Sequence, residues 1–162
     1  MTEIDQPEGI KLNKIHHEDC FTGLQKLQSS SAQCIIADPP YNVGKNFGNN
    51  QIKLTNKQYV EWSEKWLNEC KRILRGNGTM FIFGFSEILP YLTVYIQDEL
   101  DMKVRPLIWH YTNRTVPSLK FWQRSHEAIL CCWKGKTRPK FNRDSVRVPY
   151  TSTFLRNSAG KT

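Results

Sequence analysis

Two consecutive prolines directly after a short apolar run are the strongest local constraint in this sequence. Residues Cys34-Ile35-Ile36-Ala37 are typical of a buried strand, and Asp38-Pro39-Pro40-Tyr41 follows without a gap. Pro40 excludes the helical region for Pro39, and neither proline has an N–H to donate to a neighbouring strand. The chain must therefore leave the sheet stiff and extended, presenting a carboxylate, two carbonyl groups and an aromatic ring in a row.

Strand-like and helix-like segments alternate along the chain, which predicts an α/β fold with a mainly parallel sheet. Thr55 with Gln58 three residues later resembles a capping box, and the apolar residues behind it recur with a helical period. Gly76 is expected to end this helix in a left-handed cap. Ligands of such sheets bind beyond the carboxyl ends of strands, where Asp19 and Asp38 are expected to lie. The predicted strands cover 10–15, 34–37, 79–83, 104–111 and 128–133, and two further helices are predicted at 21–27 and 88–100.

Four of the five tryptophans fall into two groups. Trp62 and Trp66 lie on the apolar stripe of the predicted central helix, so we expect them in the core. Trp109 and Trp122 flank a polar segment, and for them the sequence leaves core packing and base stacking equally open.

A surplus of basic residues, 23 Lys and Arg against 15 Asp and Glu, gives the chain a formal net charge of +8. Such a surplus suits a polyanion, because bound phosphates release counterions, but a solubilising surface explains it equally well. The five cysteines are odd in number and form no C-x-x-C pair, which favours reduced thiols. No second cluster joins His16, His17 and Cys20 into a metal site. The sequence shows no signal peptide and no membrane-spanning run, so we expect a cytoplasmic protein.

The tetrapeptide Asp38-Pro39-Pro40-Tyr41 matches the needs of a nucleobase that carries an exocyclic amine. The Asp38 carboxylate and the Pro39 carbonyl can each accept one amine N–H while Tyr41 stacks on the ring. Such hydrogen bonds localise the nitrogen lone pair, and they strengthen as positive charge develops on nitrogen in the transition state. Inside a duplex neither group is reachable, so the base has to be flipped out. A turn that merely ends a strand is the weaker alternative.

The segment Ile35-Ile36-Ala37-Asp38-Pro39-Pro40-Tyr41-Asn42 resembles the catalytic motif of the amino-methyltransferases that modify adenine N6 or cytosine N4 in DNA. Three other segments are similar to motifs of the permuted β-class of these enzymes and occur in the same order. They are Glu18-Asp19-Cys20-Phe21 with Leu24 and Leu27, residues 69–79, and Ser125-His126-Glu127-Ala128-Ile129-Leu130. The resemblance covers about residues 12 to 134 and implies a Rossmann-like, S-adenosylmethionine-dependent methyltransferase fold.

The resemblance also implies roles for individual residues. Asp38, Pro39, Pro40 and Tyr41 would hold and activate the target base, and Asp19, Cys20 and Asp38 would contact the cofactor S-adenosylmethionine. Within this family an aspartate rather than a serine at position 38 favours adenine N6 over cytosine N4. The candidate contacts to double-stranded DNA are Asn42, Lys45, Lys53 and Arg114.

The Gly-rich loop that holds the methionine part of the cofactor in this family has no counterpart after Lys134. We therefore expect the catalytic portion at residues 10–134, followed at 135–162 by the basic start of a truncated target-recognition region. Three origins are open: a truncated or frameshifted gene product, a partial sequence, or one half of a split enzyme in which a second chain supplies the missing cofactor half. A homodimer is also open, and one sheet edge would be left uncovered. The isolated chain is expected to transfer no methyl group to mixed-sequence DNA.

Three functions are compatible with these patterns. The first is methylation of DNA in a restriction–modification or regulatory system. The second is methylation of RNA or of protein glutamine, but those families place the cofactor loop before the tetrapeptide and only 37 residues precede Asp38 here. The third is a non-catalytic DNA-binding remnant, which would bind DNA in a salt-dependent way without binding the cofactor.

Overall fold

A computed structural model describes residues 10–42, 54–112, 120, 122, 124–136 and 138–148. Strands and helices alternate through most of these ranges, as the sequence predicts. In chain order they are α1 (Cys20–Gln25), β1 (Ala32–Ala37), α2 (Asn56–Ile73), β2 (Leu74–Gly84), α3 (Leu89–Asp98), β3 (Met102–His110), β4 (His126–Lys134) and a 3-10 turn at Arg143–Val146.

The described strands form one mixed sheet in the order β1-β2-β4-β3. β1 and β2 are parallel, whereas β4 is antiparallel to both of its neighbours, β2 and β3. Three strands therefore run in one direction, but two of the three pairings are antiparallel, which corrects the expected mainly parallel sheet. The reason is that β4 inserts in reverse between β2 and β3, and periodicity within a strand carries no information on its direction.

The central helix begins as predicted and ends differently. Thr55 caps it through a reciprocal capping box with Gln58, in which the Gln58 N–H donates to the Thr55 hydroxyl oxygen at 3.3 Å. At the other end the cap residue is Leu74, whose backbone is extended, so β2 starts at once and Gly76 lies within the strand. The predicted left-handed cap at Gly76 is wrong, because the fully buried Leu74 turns the chain directly into the sheet.

The strand predicted at residues 10–15 is also wrong. Residues 12–14 form a turn and a bend, and Ile15 is 99% exposed. No strand of the described sheet pairs with this segment. The helix predicted just after it does form, as α1.

Arg72 of α2 anchors the end of α1. Its Nη1 donates to the Leu27 carbonyl at 2.7 Å and its Nη2 to the Leu24 carbonyl at 2.9 Å, while the Glu69 carboxylate holds the same guanidinium at 2.7 Å. The last carbonyls of a helix lack intrahelical partners. The arginine supplies a partner for one of them, at Leu24, and also binds the Leu27 carbonyl just beyond the helix, so it holds α1 against α2.

The hydrophobic core lies between one face of the sheet and the helices α2 and α3. Side chains alternate along a strand, so Met80 and Ile82 of β2 point into this core and are fully buried, as is Cys132 of β4. The helices contribute the largest share of the buried side chains, including Trp66, Leu67, Cys70, Leu92 and Ile96. None of the helices in the described ranges is long and apolar enough to cross a membrane.

The opposite face of the sheet has no helix packed on it within the described ranges. Ile36 of β1 is 71% exposed there, and Leu107 and Trp109 of β3 are also exposed. Residues 138–141 cover part of this face and enclose a groove of about 660 Å³ with it. β1 is moreover one of the two edge strands of the described sheet, since it pairs only with β2.

Candidate active site at the carboxyl end of β1

The tetrapeptide Asp38-Pro39-Pro40-Tyr41 leaves the carboxyl end of β1, where the sequence predicts it. Ala37, the last residue of the strand, is in register with Ile82 of the parallel strand β2, so the two strands end at the same edge of the sheet. Asp38 and Pro40 are exposed, whereas Pro39 and Tyr41 are half-buried. The carboxylate of Asp38 is thus presented to solvent at the edge where ligands of α/β sheets bind.

Tyr59 fixes the conformation of this tetrapeptide. Its ring is 2% exposed, and its hydroxyl donates a hydrogen bond of 2.8 Å to the Pro40 carbonyl. Burial raises the pKa of Tyr59 to about 12, so the phenol keeps the proton that it donates. With the Pro40 carbonyl occupied, the Pro39 carbonyl is the acceptor left for a ligand, since no donor of the described residues reaches it. Tyr59 is the first of the apolar residues that recur behind the capping box, and this helical period did not predict the contact.

Removing the Tyr59 hydroxyl tests the contact. Tyr59→Phe is expected to lower the free energy of unfolding by about 0.5–1.5 kcal/mol, the net value of a hydrogen bond whose acceptor water can still reach. Urea unfolding of both proteins measures it. The matched control is Tyr91→Phe, because Tyr91 is 49% exposed on α3 and such a surface change stays within about 0.5 kcal/mol. Equal effects of the two variants would contradict a structural role for the hydroxyl.

Tyr41 lies between the Asp38 carboxylate and a second aromatic ring. Burial and then the neighbouring Asp38 carboxylate raise the pKa of Tyr41 well above its ordinary value, so its phenol stays neutral. The ring of Phe85, just beyond β2, lies 6.2 Å from the Tyr41 ring at an interplanar angle of 58°. Tilted aromatic pairs at this distance attract each other, which restricts the orientation of the Tyr41 ring.

Asn42 is held by the backbone of Leu54. Its side-chain amide donates to the Leu54 carbonyl at 2.8 Å and accepts from the Leu54 N–H at 2.8 Å. Its φ of 55° lies in the left-handed region, which asparagine tolerates better than most residues. Asn42 was predicted to contact DNA. In the structure its side-chain nitrogen and oxygen are both bonded to the backbone of Leu54. The other predicted DNA contacts, Lys45, Lys53 and Arg114, lie outside the described residues.

A cavity of about 380 Å³ opens beside the tetrapeptide. Asp38, Pro39 and Pro40 form one wall, and Cys20 at the start of α1 brings a predicted cofactor contact to the same cavity. The remaining lining is apolar and comes from Leu24, Ile35, Ile36, Ala37, Trp62, Trp66 and Cys70. Burial raises the pKa of the Cys70 thiol to about 12, so it remains protonated.

The two tryptophans of α2 have different surroundings. Trp66 is 5% exposed, which confirms its place in the core, whereas Trp62 is 37% exposed and lines the cavity. Trp62 also contacts Tyr59, with ring centroids 5.4 Å apart. Both tryptophans were predicted in the core because the helical period identifies the apolar face of α2. The period does not show how far along the helix the sheet covers that face. Trp109 and Trp122 are 59% and 89% exposed, so neither is a core residue.

Asp19 does not lie at the end of a strand, which corrects the sequence analysis. It is the N-cap of α1, and its carboxylate accepts from the Thr22 N–H at 3.1 Å. The cause is that residues 10–18 form no strand, so Asp19 approaches the cavity only through its neighbour Cys20. Within the described ranges no group of three or more His, Cys, Asp or Glu residues is arranged to hold a metal ion.

Solved structures show which fold the chain adopts. The chain superposes on the crystal structure of M1.HpyAVI in complex with SAM with a TM-score of 0.57 and 22% sequence identity, covering 83% of this chain and 60% of that one. It superposes on the PvuII DNA methyltransferase (cytosine-N4-specific) with a TM-score of 0.65 and 15% identity, covering 88% and 60%. The fold is therefore that of S-adenosylmethionine-dependent methyltransferases, which confirms the predicted fold class.

Sequence comparison then shows the family. Residues 32–160 match the model of a DNA methylase family for N6 and N4 enzymes, and the chain belongs to this family. The type II methyltransferase M.HpaI of Haemophilus parainfluenzae is 35% identical over 131 residues, which are 81% of this chain and 42% of that protein. The DNA adenine methyltransferase YhdJ of Escherichia coli (strain K12) is 30% identical over 140 residues, 86% of this chain and 47% of that protein. The chain thus spans less than half the length of these two relatives.

Proposed function

We propose that this chain forms the base-binding part of an enzyme that transfers a methyl group from S-adenosylmethionine to the exocyclic amine of a base flipped out of double-stranded DNA. One observation carries the proposal. Asp38, Pro39 and Pro40 border the 380 Å³ cavity and also form the exposed edge beyond β1. A methyl donor in the cavity and an amine on that edge would therefore meet at the same three residues.

The chemistry follows from the groups at that edge. The Asp38 carboxylate and the Pro39 carbonyl accept the two amine N–H bonds, and Tyr41 stacks on the base. The backbone that carries the Pro39 carbonyl is fixed before the base arrives, because the Tyr59 hydroxyl holds the adjoining Pro40 carbonyl. Prearranged acceptors lower the barrier because they stabilise the positive charge that develops on the amine nitrogen, and they need no reorganisation during the reaction.

The cavity suits S-adenosylmethionine in size and lining. Its 380 Å³ lies in the range of small-molecule sites, its walls are largely apolar, and the Asp38 carboxylate stands at its border. When bound, the cofactor supplies an electrophilic methyl group on a cationic sulfur. Cys20 and Asp38 would contact it directly, whereas Asp19 would act by fixing the start of α1.

Several finer features belong to the same proposal. We propose adenine N6 as the target, because position 38 is an aspartate, and a role in restriction–modification or regulatory methylation. Residues 10–134 would form the catalytic portion and residues 135–162 the start of target recognition. The exposed edge of β1 and the open sheet face would receive either a second chain that supplies the cofactor half or, in a homodimer, a second copy of this chain. Membership of a DNA methylase family favours DNA over RNA or protein as the substrate.

The proposal predicts that the chain recognises an amine on a purine ring. The test uses single-stranded thymidine oligonucleotides with one central adenine, or with a central purine ring that lacks the amine, so that no base flipping is needed. We expect about tenfold tighter binding of the adenine probe, since hydrogen bonds to a charged acceptor contribute about 1.5 kcal/mol or more. Fluorescence anisotropy measures both dissociation constants, and because charge, length and ring stacking are matched, equal constants would sink the proposal.

A further inference from the structure

We propose that Arg124 and Glu87 form a phosphate site beside the base-binding edge, in which Glu87 holds the guanidinium until a nucleic-acid phosphate displaces it. The inference deepens the proposed function and rests on it, since a base reaching Tyr41 brings its phosphates to this rim. Arg124 lies two residues before β4 and Glu87 three residues after β2. Neither residue was singled out by its sequence pattern.

The guanidinium of Arg124 is held in place by an aromatic ring. It lies over the ring of Phe85 at 3.7 Å from the centroid, and Phe85 in turn contacts Tyr41 at 6.2 Å. A cation over an aromatic face is attracted by the ring quadrupole. The positive charge is therefore fixed one ring away from the residue that would stack on the base.

The acidic partner of Arg124 is weakly held. Glu87 is 67% exposed, and both of its oxygens contact the same nitrogen, Nη2, at 2.7 and 2.8 Å. Within the described ranges Nε and Nη1 of Arg124 reach no acceptor. Exposed ion pairs contribute only about 0–1 kcal/mol, so an incoming anion can replace the carboxylate at small cost.

A phosphate can form more favourable hydrogen bonds with the Arg124 guanidinium than the Glu87 carboxylate does, because both carboxylate oxygens contact the same nitrogen. A planar guanidinium binds phosphate oxygens through two parallel N–H bonds. In Arg124 the face of the guanidinium is covered by Phe85, which leaves its N–H edge for the phosphate oxygens. The Arg124 side chain is 27% exposed, which leaves that edge accessible. The expected ligand is a phosphodiester next to the stacked nucleotide.

The test follows the salt dependence of binding to the single-stranded adenine probe. Each phosphate contact contributes about 0.7 to the slope of log K against log salt for a single strand. Arg124→Gln is expected to reduce the slope by about that amount, whereas Arg75→Gln, which removes the same charge at the opposite end of β2, leaves it unchanged. Glu87→Gln is expected to tighten binding up to about fivefold by removing the competing carboxylate. Glu99→Gln, the same charge change at the end of α3, has a smaller effect.

The outcomes separate this inference from the proposed function. Discrimination between the adenine and amine-free probes reports on the base site, and the salt slope reports on the phosphate site. If the wild-type chain discriminates but Arg124→Gln keeps the wild-type slope, the phosphate site is refuted and the base site stands. If Arg124→Gln does not fold, equal affinities of Glu87→Gln and Glu99→Gln refute it. A wild-type chain that binds neither probe refutes both.

Discussion

Replacing Asp38 with alanine is expected to abolish the preference for adenine over the amine-free purine, reducing the ratio of dissociation constants from about tenfold to about one. The carboxylate is the charged acceptor of the site, and it is exposed at the end of β1 rather than engaged in the core. Phosphate-driven binding of both probes should remain, because no cation is removed. Anisotropy with the two probes measures the ratio directly.

Two further variants sharpen this prediction. Asp38→Asn keeps one acceptor oxygen without its charge, so part of the preference should survive. Asp98→Ala removes a carboxylate at the end of α3, just before β3 begins and so at the opposite end of the strands from Asp38, and should leave the ratio unchanged. A preference that persists in Asp38→Ala would show that another group accepts from the amine.

The elements that the sequence predicted well are those specified by local chemistry. The capping box of Thr55 and Gln58 depends on residues three positions apart, and it forms as predicted. The strand before Asp38 follows from a compact apolar run ended by two prolines, and β1 ends at Ala37. In both cases neighbouring residues satisfy or deny backbone hydrogen bonds, so no distant contact is needed to decide the outcome.

The features that the sequence could not predict depend on distant contacts. Tyr59 lies 19 residues from the Pro40 carbonyl that it holds, and a buried tyrosine on an apolar stripe has the same local pattern as any core residue. The Arg124–Glu87 pair spans 37 residues. The reversal of β4 was missed for a related reason, because strand direction is set by the connection and by the neighbours that the strand finds.

The same distinction applies within the candidate site. The tetrapeptide alone is enough to predict that Asp38, Pro39 and Tyr41 act together in one site. The Pro39 carbonyl was assigned to an amine N–H from the tetrapeptide alone, and the contact of Tyr59 with the Pro40 carbonyl supplies a physical reason that no local pattern contains. The cavity next to them needs α1, β1 and α2 together, so its 380 Å³ could not be read from any one segment.

Replacing Tyr41 with alanine is expected to weaken binding of the adenine probe and of the amine-free probe alike, by roughly 5- to 150-fold. The reason is that base–aromatic stacking contributes about 1–3 kcal/mol per base and needs only a ring face, which both probes have. The phenol is neutral at pH values below its ordinary pKa of 10, because burial and Asp38 raise the pKa of Tyr41, so the loss should not depend on pH in that range. Anisotropy measures the two dissociation constants.

The variants of Asp38 and Tyr41 therefore have distinct signatures. Tyr41→Phe keeps the ring and should bind both probes nearly as well as the wild type, whereas Tyr91→Ala removes an exposed tyrosine from α3 and should change neither constant. Loss of stacking lowers both affinities and leaves their ratio intact, while loss of the Asp38 carboxylate removes the ratio. If Tyr41→Ala instead affected the adenine probe alone, the ring would be orienting the amine acceptors rather than stacking on the base.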